Sequence, residues 1–392
     1  MRTIIISILA ILASTSLFAQ NNMSSVLSSI EENNTTLKAL RESAEADKLE
    51  NRTGLTLSNP EVGFNYLWGN PGNIGNRTDF SVTQTFDIPT ITGMKSRVAN
   101  EKNNLIEWQY KADRMNILLE AKQYCIELIY YNALKKELDL RLQHAETIAE
   151  GYKQRMDRGD ANILEYNKVR LNLSTIQGEM SKIDVERNAL IEQLKRLNGG
   201  NEVRLDDYQF GNVELPLNFG DWYVQAEQNN PVLAYVKQEI EVSKRQVSLS
   251  KAMGLPTFSA GYMSEKVVGQ RYQGISVGVS IPLWENKNRV RQAKAAVRAA
   301  ESREADSKQQ FYGQLQILYS RTFGLKATAE SYRKSMETAN STDLLKKALD
   351  AGEISLLEYI LEIGLYYDTV NQALEAERDY QKTYAELSAV QL

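Results

Sequence analysis

The stretch GDANILEY, residues 159–166, recurs as GEISLLEY at residues 352–359, an offset of 193 (352 − 159 = 193). Two prolines keep the same spacing, because 282 − 89 = 193. Upstream, a pair of asparagines and another proline recur at a slightly larger offset (229 − 33 = 196 and 256 − 60 = 196). Landmarks that keep their order at constant offsets indicate an internal duplication. We therefore predict two copies of one structural unit. The first copy carries a small insertion between residues 60 and 89.

Each copy is predicted to contain a first helix, a β-hairpin, a long helix, a glycine turn and a return helix. The first helices are expected at residues 24–52 and 221–252, and the long helices at 94–157 and 286–350. The stretch from 198 to 220 is rich in Gly, Asn and Asp and is predicted to be irregular. The predicted segments are a signal peptide (1–19), a first repeat (20–200), a linker (201–220) and a second repeat (221–392).

The hairpin segments alternate apolar with small or polar residues. Val277 and Val279, for example, alternate with Ser276 and Gly278. The residues predicted to face lipid are Phe64, Phe258, Val277 and Val279. A period of two over about ten residues is typical of transmembrane barrel strands. The same pattern also fits four strands of a soluble sheet packed on helices, so alternation alone does not decide between them.

The helices carry apolar residues at alternating steps of three and four, a heptad pattern that predicts coiled-coil packing. A helix from residue 94 to residue 157 would be about 95 Å long at 1.5 Å per residue. Four strands are too few to close a barrel, since about eight is the smallest number that does so. If these strands enter a membrane, several chains must share one barrel, because lipid cannot satisfy an open edge.

Composition and termini exclude several classes of protein. Arg2, an apolar run at 4–13 and small residues up to Ala19 have the order of a secretory signal. After it, no run of about 18 apolar residues suggests a transmembrane helix. The net charge of −4 is mixed along the chain, which disfavours nucleic-acid binding. One cysteine, Cys125, and one histidine, His144, exclude an intrachain disulfide and disfavour metal or nucleophilic sites, so no cofactor or metal is expected.

The duplicated order of elements resembles the TolC-type outer-membrane efflux family. The residues that carry the resemblance lie at 59–62, 86–89, 255–258 and 279–283, and in the two glycine turns. Each motif is short, but their duplicated order spans essentially the whole mature chain. The resemblance implies a mixed α and β membrane protein. In it, a trimeric, twelve-stranded β-barrel with four strands per chain continues into a long antiparallel α-helical coiled-coil barrel.

The resemblance also implies partners and sites. A homotrimer in the outer membrane would place its helical tunnel in the periplasm. There it would meet a periplasmic adaptor (membrane fusion) protein and an inner-membrane pump of the RND or ABC type. The segment 201–220 would form an equatorial linker. The expected adaptor-docking tips comprise Gly159, Asp160, Ala161, Gly352, Glu353 and Ile354.

The periplasmic gate candidates implied by the resemblance are Glu358 and its first-copy counterpart Glu165. Three inward copies of Glu358 around one axis would raise the pKa values of the ring through mutual repulsion and would attract cations. The family often has a basic residue where this chain has Ile354, so the sequence departs from the family at one partner of the usual gate-closing ion pair.

Alternative functions remain open at this stage. The chain could be the exit duct of a type I protein secretion system or a secreted periplasmic coiled-coil scaffold or adaptor. The scaffold would explain the heptads but not the barrel-like strands. A hydrolase with paired carboxylates is a third class, although no acidic motif is concentrated on short loops. The cargo, whether drug, metal cation or polypeptide, is not encoded in any of these patterns.

Overall fold

A computed structural model describes residues 22–339 and 342–392 of the chain. The predicted signal peptide, 1–19, lies outside the described residues. In chain order, the helices and strands are α1 (Asn22–Asn33), α2 (Thr35–Glu50), β1 (Glu61–Leu67), β2 (Arg77–Phe86), α3 (Pro89–Arg158), α4 (Ile163–Leu197), α5 (Phe219–Asn229), α6 (Pro231–Ala252), β3 (Thr257–Val267), β4 (Gln270–Ser280), α7 (Arg289–Ala339), α8 (Thr342–Asp350) and α9 (Leu356–Leu387). No helix in the described part of the chain is both long and apolar enough to cross a membrane.

The predicted first helix of each copy is divided in two at an asparagine. The Asn34 side chain accepts a hydrogen bond from the Leu37 amide at 2.8 Å and donates one to the Leu197 carbonyl at 2.8 Å. Asn230 accepts hydrogen bonds from the amides of Val232 and Leu233 at the start of α6. An asparagine that satisfies free amides in this way starts a new helix. The asparagine pairs that repeat at an offset of 196 therefore mark helix starts.

All four strands form one antiparallel sheet in the order β1-β2-β3-β4. The hairpins β1-β2 and β3-β4 are joined because β2 pairs with β3 over ten residues, from Arg77↔Val267 to Phe86↔Phe258. Strands β1 and β4 are the two edges. The turn between β3 and β4 has only two residues, Val268 and Gly269, both at positive φ, which is the pattern of a type I′ hairpin turn.

The chain divides into two compact units, each built from separated segments. The first combines the described part of Met1–Ala39 with Asp113–Ala226 and Tyr312–Leu392. The second combines Leu40–Ala112 with Glu227–Phe311 and contains the whole sheet. Each unit draws on both halves of the sequence. The division into sequence repeats at 200/201 and 220/221 stays a prediction, since these units cut across it.

Helices α3 and α4 pack in the first unit along the apolar stripes expected from the heptad spacing. Leu138 and Ala145 of α3 are buried against Ile176 and Ile183 of α4. A second cluster contains Cys125, which is fully buried. Burial raises the pKa of this thiol to about 12, so the sulfur stays protonated and unreactive.

Residues 198–218 have no regular helix or strand and are tied to the helices of the first unit. Asn132 donates to the carbonyls of Leu205 and Asp207, both at 2.9 Å. Gln381 donates to Gly211 and the Tyr319 hydroxyl to Pro216. Side chains of α3, α7 and α9 thus satisfy backbone groups that a loop would otherwise expose.

Candidate functional site: helix-hairpin tips and an apolar sheet face

Both predicted tips turn the chain in the same way. Gly159 and Gly352 have φ values of +83° and +73°, a region that favours glycine. After each glycine, the next amide bonds back to the helix. Asp160 donates to Arg155 at 2.8 Å, and Glu353 donates to Ala348 at 2.9 Å. These bonds form a Schellman motif, which closes α3 and α8.

A capping box then starts the helix that follows each tip. The Ser355 hydroxyl accepts from the Glu358 amide at 3.2 Å, and the Glu358 carboxylate accepts from the Ser355 amide at 2.7 Å. Asn162 and Glu165 exchange the equivalent two bonds, each 3.0 Å long. Both gate candidates therefore hold the first turn of a helix, α9 for Glu358 and α4 for Glu165.

This bonding sets the charge state of Glu358 in the single chain. Glu358 is exposed, and the hydrogen bond from the Ser355 backbone amide, followed by that from its hydroxyl, lowers the pKa of its carboxyl group. The direction is opposite to that expected for a ring of three carboxylates. The lowered pKa belongs to the single chain. The raised pKa would apply only to an assembly, because a ring of carboxylates can form only between copies of the chain.

The remaining tip residues divide into a half-buried set and an exposed set. Ala161 packs on a cluster formed by Tyr152, Val169 and Leu356. Ile354 packs on another cluster, with Leu349 and Tyr359. Gly159, Asp160, Gly352 and Glu353 are exposed. Each tip is thus a short polar turn anchored by one apolar residue. Ile354 anchors the second tip, at the position where the TolC-type family often has a basic residue.

The strand register brings the four predicted lipid-facing residues to one side of the sheet. Phe258 pairs with Val279, and alternate residues of each strand share a face. The same register continues through β2 to Phe64 of β1, since Phe64 pairs with Phe80. The apolar face, as we name it, comprises Val62, Phe64, Phe80, Val82, Phe86, Phe258, Ala260, Tyr262, Ile275, Val277 and Val279. In the single chain Val277 is 77% exposed and Phe64 is 66% exposed.

The other side of the sheet, which we name the polar face, carries small and charged residues. Gly63, Gly261 and Gly278 lie there, close to serine and threonine side chains of the neighbouring strands. Arg77 forms ion pairs there with Asp79 at 2.8 Å and with Glu265 at 3.2 Å. One strongly apolar and one polar face is the arrangement of a sheet that separates lipid from water.

A buried arginine in the first unit was missed by sequence reasoning. Arg141 of α3 is only 4% exposed and donates to the Tyr367 carbonyl and to Asn371 of α9. Its guanidinium lies 4.3 Å from the centre of the Tyr367 ring, and burial lowers its pKa. Arg141 thereby fastens α3 to α9. Nothing in the heptad pattern distinguishes this arginine from those on a solvated helix face.

Comparison with known proteins gives the fold its class. A membrane protein from Pseudomonas aeruginosa superimposes with a TM-score of 0.77 at 14% identity, covering 94% of this chain and 90% of that one. The CmeC outer membrane channel of Campylobacter jejuni superimposes with a TM-score of 0.76 at 14% identity, covering 94% and 85%. The fold is therefore that of outer-membrane channels.

Sequence comparison gives two partial matches. Residues 222–390 match the outer membrane efflux protein family. The alkaline protease secretion protein AprF of Pseudomonas aeruginosa is 22% identical over 252 residues, 60% of this chain and 52% of AprF. The matched region thus covers about half the length of that relative. Residues 222–390 thus match the family that the TolC-type features of the sequence resemble. The family and the fold are those of channels, not of enzymes.

The capping box predicts different hydrogen-exchange rates of the Ser355 amide for two substitutions at Glu358. Glu358→Ala removes the acceptor for the Ser355 amide, so hydrogen exchange of that amide should accelerate several-fold. Glu358→Gln retains an acceptor oxygen and should stay close to the wild type. Hydrogen exchange resolved at residues 352–360, corrected for intrinsic rates, measures this.

The same experiment has a pH dependence of known sign. Because the folded pKa is lowered, the carboxylate's contribution to the cap is complete above the ordinary value of 4.5 and is lost as pH falls through the lower folded value. The Glu358→Gln variant should show no such transition. Equal protection of the Ser355 amide in wild type and Glu358→Ala would contradict the cap.

Proposed function

We propose that this protein is the outer-membrane channel subunit of a tripartite efflux pump, through which substrates pass from the periplasm to the outside. The observation that supports it most is the sheet. It has one exposed apolar face, one polar face and two edge strands, in a chain whose fold matches outer-membrane channels. On this proposal, the apolar face contacts lipid and the polar face lines the water-filled lumen.

The two edge strands support a shared barrel. In the described chain, β1 and β4 each pair on one side only. A strand edge exposed to hydrocarbon leaves its amides and carbonyls unsatisfied, each at a cost of several kcal/mol. We propose that three chains contribute four strands each, with β4 of one copy pairing with β1 of the next. No cofactor is needed for such a conduit, and we propose no enzymatic activity.

The tips support the proposed partners. Leu164 and Leu357 occupy equivalent positions one turn beyond the two glycines and are 68% and 49% exposed. Exposed leucines beside a rigid polar turn suit a helical partner that covers them. We propose that the tips dock a periplasmic adaptor (membrane fusion) protein, which links the channel to an inner-membrane pump of the RND or ABC type.

A second candidate function is the exit duct of a type I protein secretion system. The observation that favours it is the similarity to AprF, whose name describes secretion of an alkaline protease. Both candidates use the same conduit and differ in cargo. Co-purification with a tagged adaptor, followed by identification of the inner-membrane component, separates them.

We propose Glu358 as the gate residue, with Glu165 as its counterpart in the first tip. In a threefold assembly, three Glu358 carboxylates would lie close to the axis at the narrow end. Two charge effects would then compete at this position. The cap lowers the pKa of each carboxyl, and mutual repulsion raises it. A ring that remains charged would select cations and bind multivalent ones.

The assignment of the faces predicts opposite results for neighbouring residues of β4. Val277→Arg places a charge in lipid and should cost about 2–4 kcal/mol if the residue lies near the midplane, which would reduce assembly. Ser276→Arg places the same side chain in the lumen, so it should assemble and lower the conductance. Yield of assembled protein and single-channel conductance measure the two effects.

Cysteine substitution gives a control that leaves folding intact. The single native thiol, Cys125, is buried and unreactive, so it provides no background. A charged thiol reagent should change the conductance of Ser276→Cys and leave that of Val277→Cys unchanged. Equal responses from both positions would contradict the face assignment.

The gate proposal predicts a change in ion block without loss of the cap. Glu358→Gln should remove most of the block by multivalent cations added from the periplasmic side and weaken cation selectivity, while the assembly stays intact. Glu165→Gln, recorded in the same way, tests the counterpart carboxylate in the first tip. Unchanged block and selectivity in Glu358→Gln would exclude this residue from the gate.

A further inference from the structure

The acidic residues of the sheet are confined to its polar face, where Arg77 forms ion pairs with two of them. Following the register, the acidic residues Glu61, Asp79 and Glu265 all lie on the polar face. The apolar face carries no acidic residue on any of the four strands, and two basic ones, Lys266 and Arg271. The basic pair therefore has no counter-charge on its own face of the sheet.

Lys266 and Arg271 lie directly opposite each other across β3 and β4. Residues so paired have Cβ atoms about 4.5–5.5 Å apart, and like charges in this position repel. Both side chains are exposed, and neither forms an ion pair with the residues that the structure describes. Arg271 donates from Nε to the hydroxyl of Ser264, which lies on the same face of β3 as the lysine, at 3.1 Å. Two adjacent cations of this kind attract an anion.

The pair stands where the apolar face ends. Along β3 and β4, the pair Tyr262↔Ile275 is followed by the polar pair Ser264↔Gln273, and then by the basic pair. Beyond it come only the pair Val267↔Gln270 and the two-residue turn at Val268 and Gly269, since the other ends of both strands lead to helices. Four residues from Tyr262 to Lys266 correspond to about 13 Å along the strand. The face thus changes from apolar to hydrogen-bonding to cationic. A membrane changes in the same order, from hydrocarbon through the interface to the headgroups.

We propose that Lys266 and Arg271 bind the phosphate groups of an anionic glycolipid in the outer leaflet of the membrane. The inference rests on the proposed function, which places the apolar face in lipid. With the helices extending into the periplasm, the hairpin turns would lie at the outer end of the strands. Arginine binds phosphate oxygens with two parallel hydrogen bonds, and lysine binds as a point charge. The lipid phosphate relieves the repulsion within the pair, and the acyl chains of the same molecule cover Tyr262, Ile275 and Val277 below it.

The test uses the full-length channel in uncharged detergent, titrated with labelled diphosphoryl lipid A. The double variant Lys266→Gln/Arg271→Gln should bind it on the order of 30-fold more weakly. The two basic residues should account for similar shares of this loss, because each one attracts the anionic lipid. A matched double variant, Lys153→Gln/Arg158→Gln, removes equal charge from the exposed end of α3 and should bind like the wild type. Lys266→Arg keeps the charge and should retain binding.

Three further measurements identify the ligand and separate this inference from the proposed function. Dephosphorylated lipid A should bind the wild type no better than it binds the double variant, and inorganic phosphate should not compete at concentrations equal to the lipid. Competition by inorganic phosphate, or equal lipid A binding by wild type and the double variant, would overturn the lipid site. Conductance is recorded on the same samples. A conducting channel without headgroup preference refutes only the lipid site, and protein that never conducts refutes the proposed function.

Discussion

Unpaired backbone groups at the edges of the sheet are the constraint on which the proposed assembly depends. Every amide and carbonyl buried from water needs a partner, and hydrocarbon offers none. Strands β1 and β4 present such groups on one side each, while the face between them is apolar and exposed. A chain of this kind is incomplete in a membrane. In the proposed assembly, pairing with copies of the same chain would satisfy both edges at once, and the polar face would enclose the lumen.

The tips, in contrast, are held rigid by local hydrogen bonds. A Schellman motif ends one helix and a capping box begins the next, with one half-buried residue, Ala161 or Ile354, between them. A preformed turn loses little conformational entropy when a partner binds. The capping role of Glu358 also limits how far its carboxylate can move without loosening α9. Any change in the proposed gate is therefore coupled to the first turn of this helix.

Much of the fold could be predicted because its signals are periodic or repeated. The alternation in the hairpins gave the apolar face, with Phe64, Phe258, Val277 and Val279 together, and the heptads gave the packing of α3 on α4. The breaks at Asn34 and Asn230 were missed, although an asparagine followed by Pro231 at the first helical position is a helix-start signal. The Asn-x-x-Glu and Ser-x-x-Glu spacings at the tips would have identified the capping boxes. Arg141 had no such signal, because its burial depends on the distant Tyr367 and Asn371.

The central claim is that one chain supplies only part of a channel, and the number of chains in the conducting unit tests it most directly. Light scattering in detergent, with the detergent mass subtracted, gives that number for the same preparation that is recorded in planar bilayers. We expect three chains per conducting particle and no conductance from single chains. A stable monomer that still conducts would contradict the account.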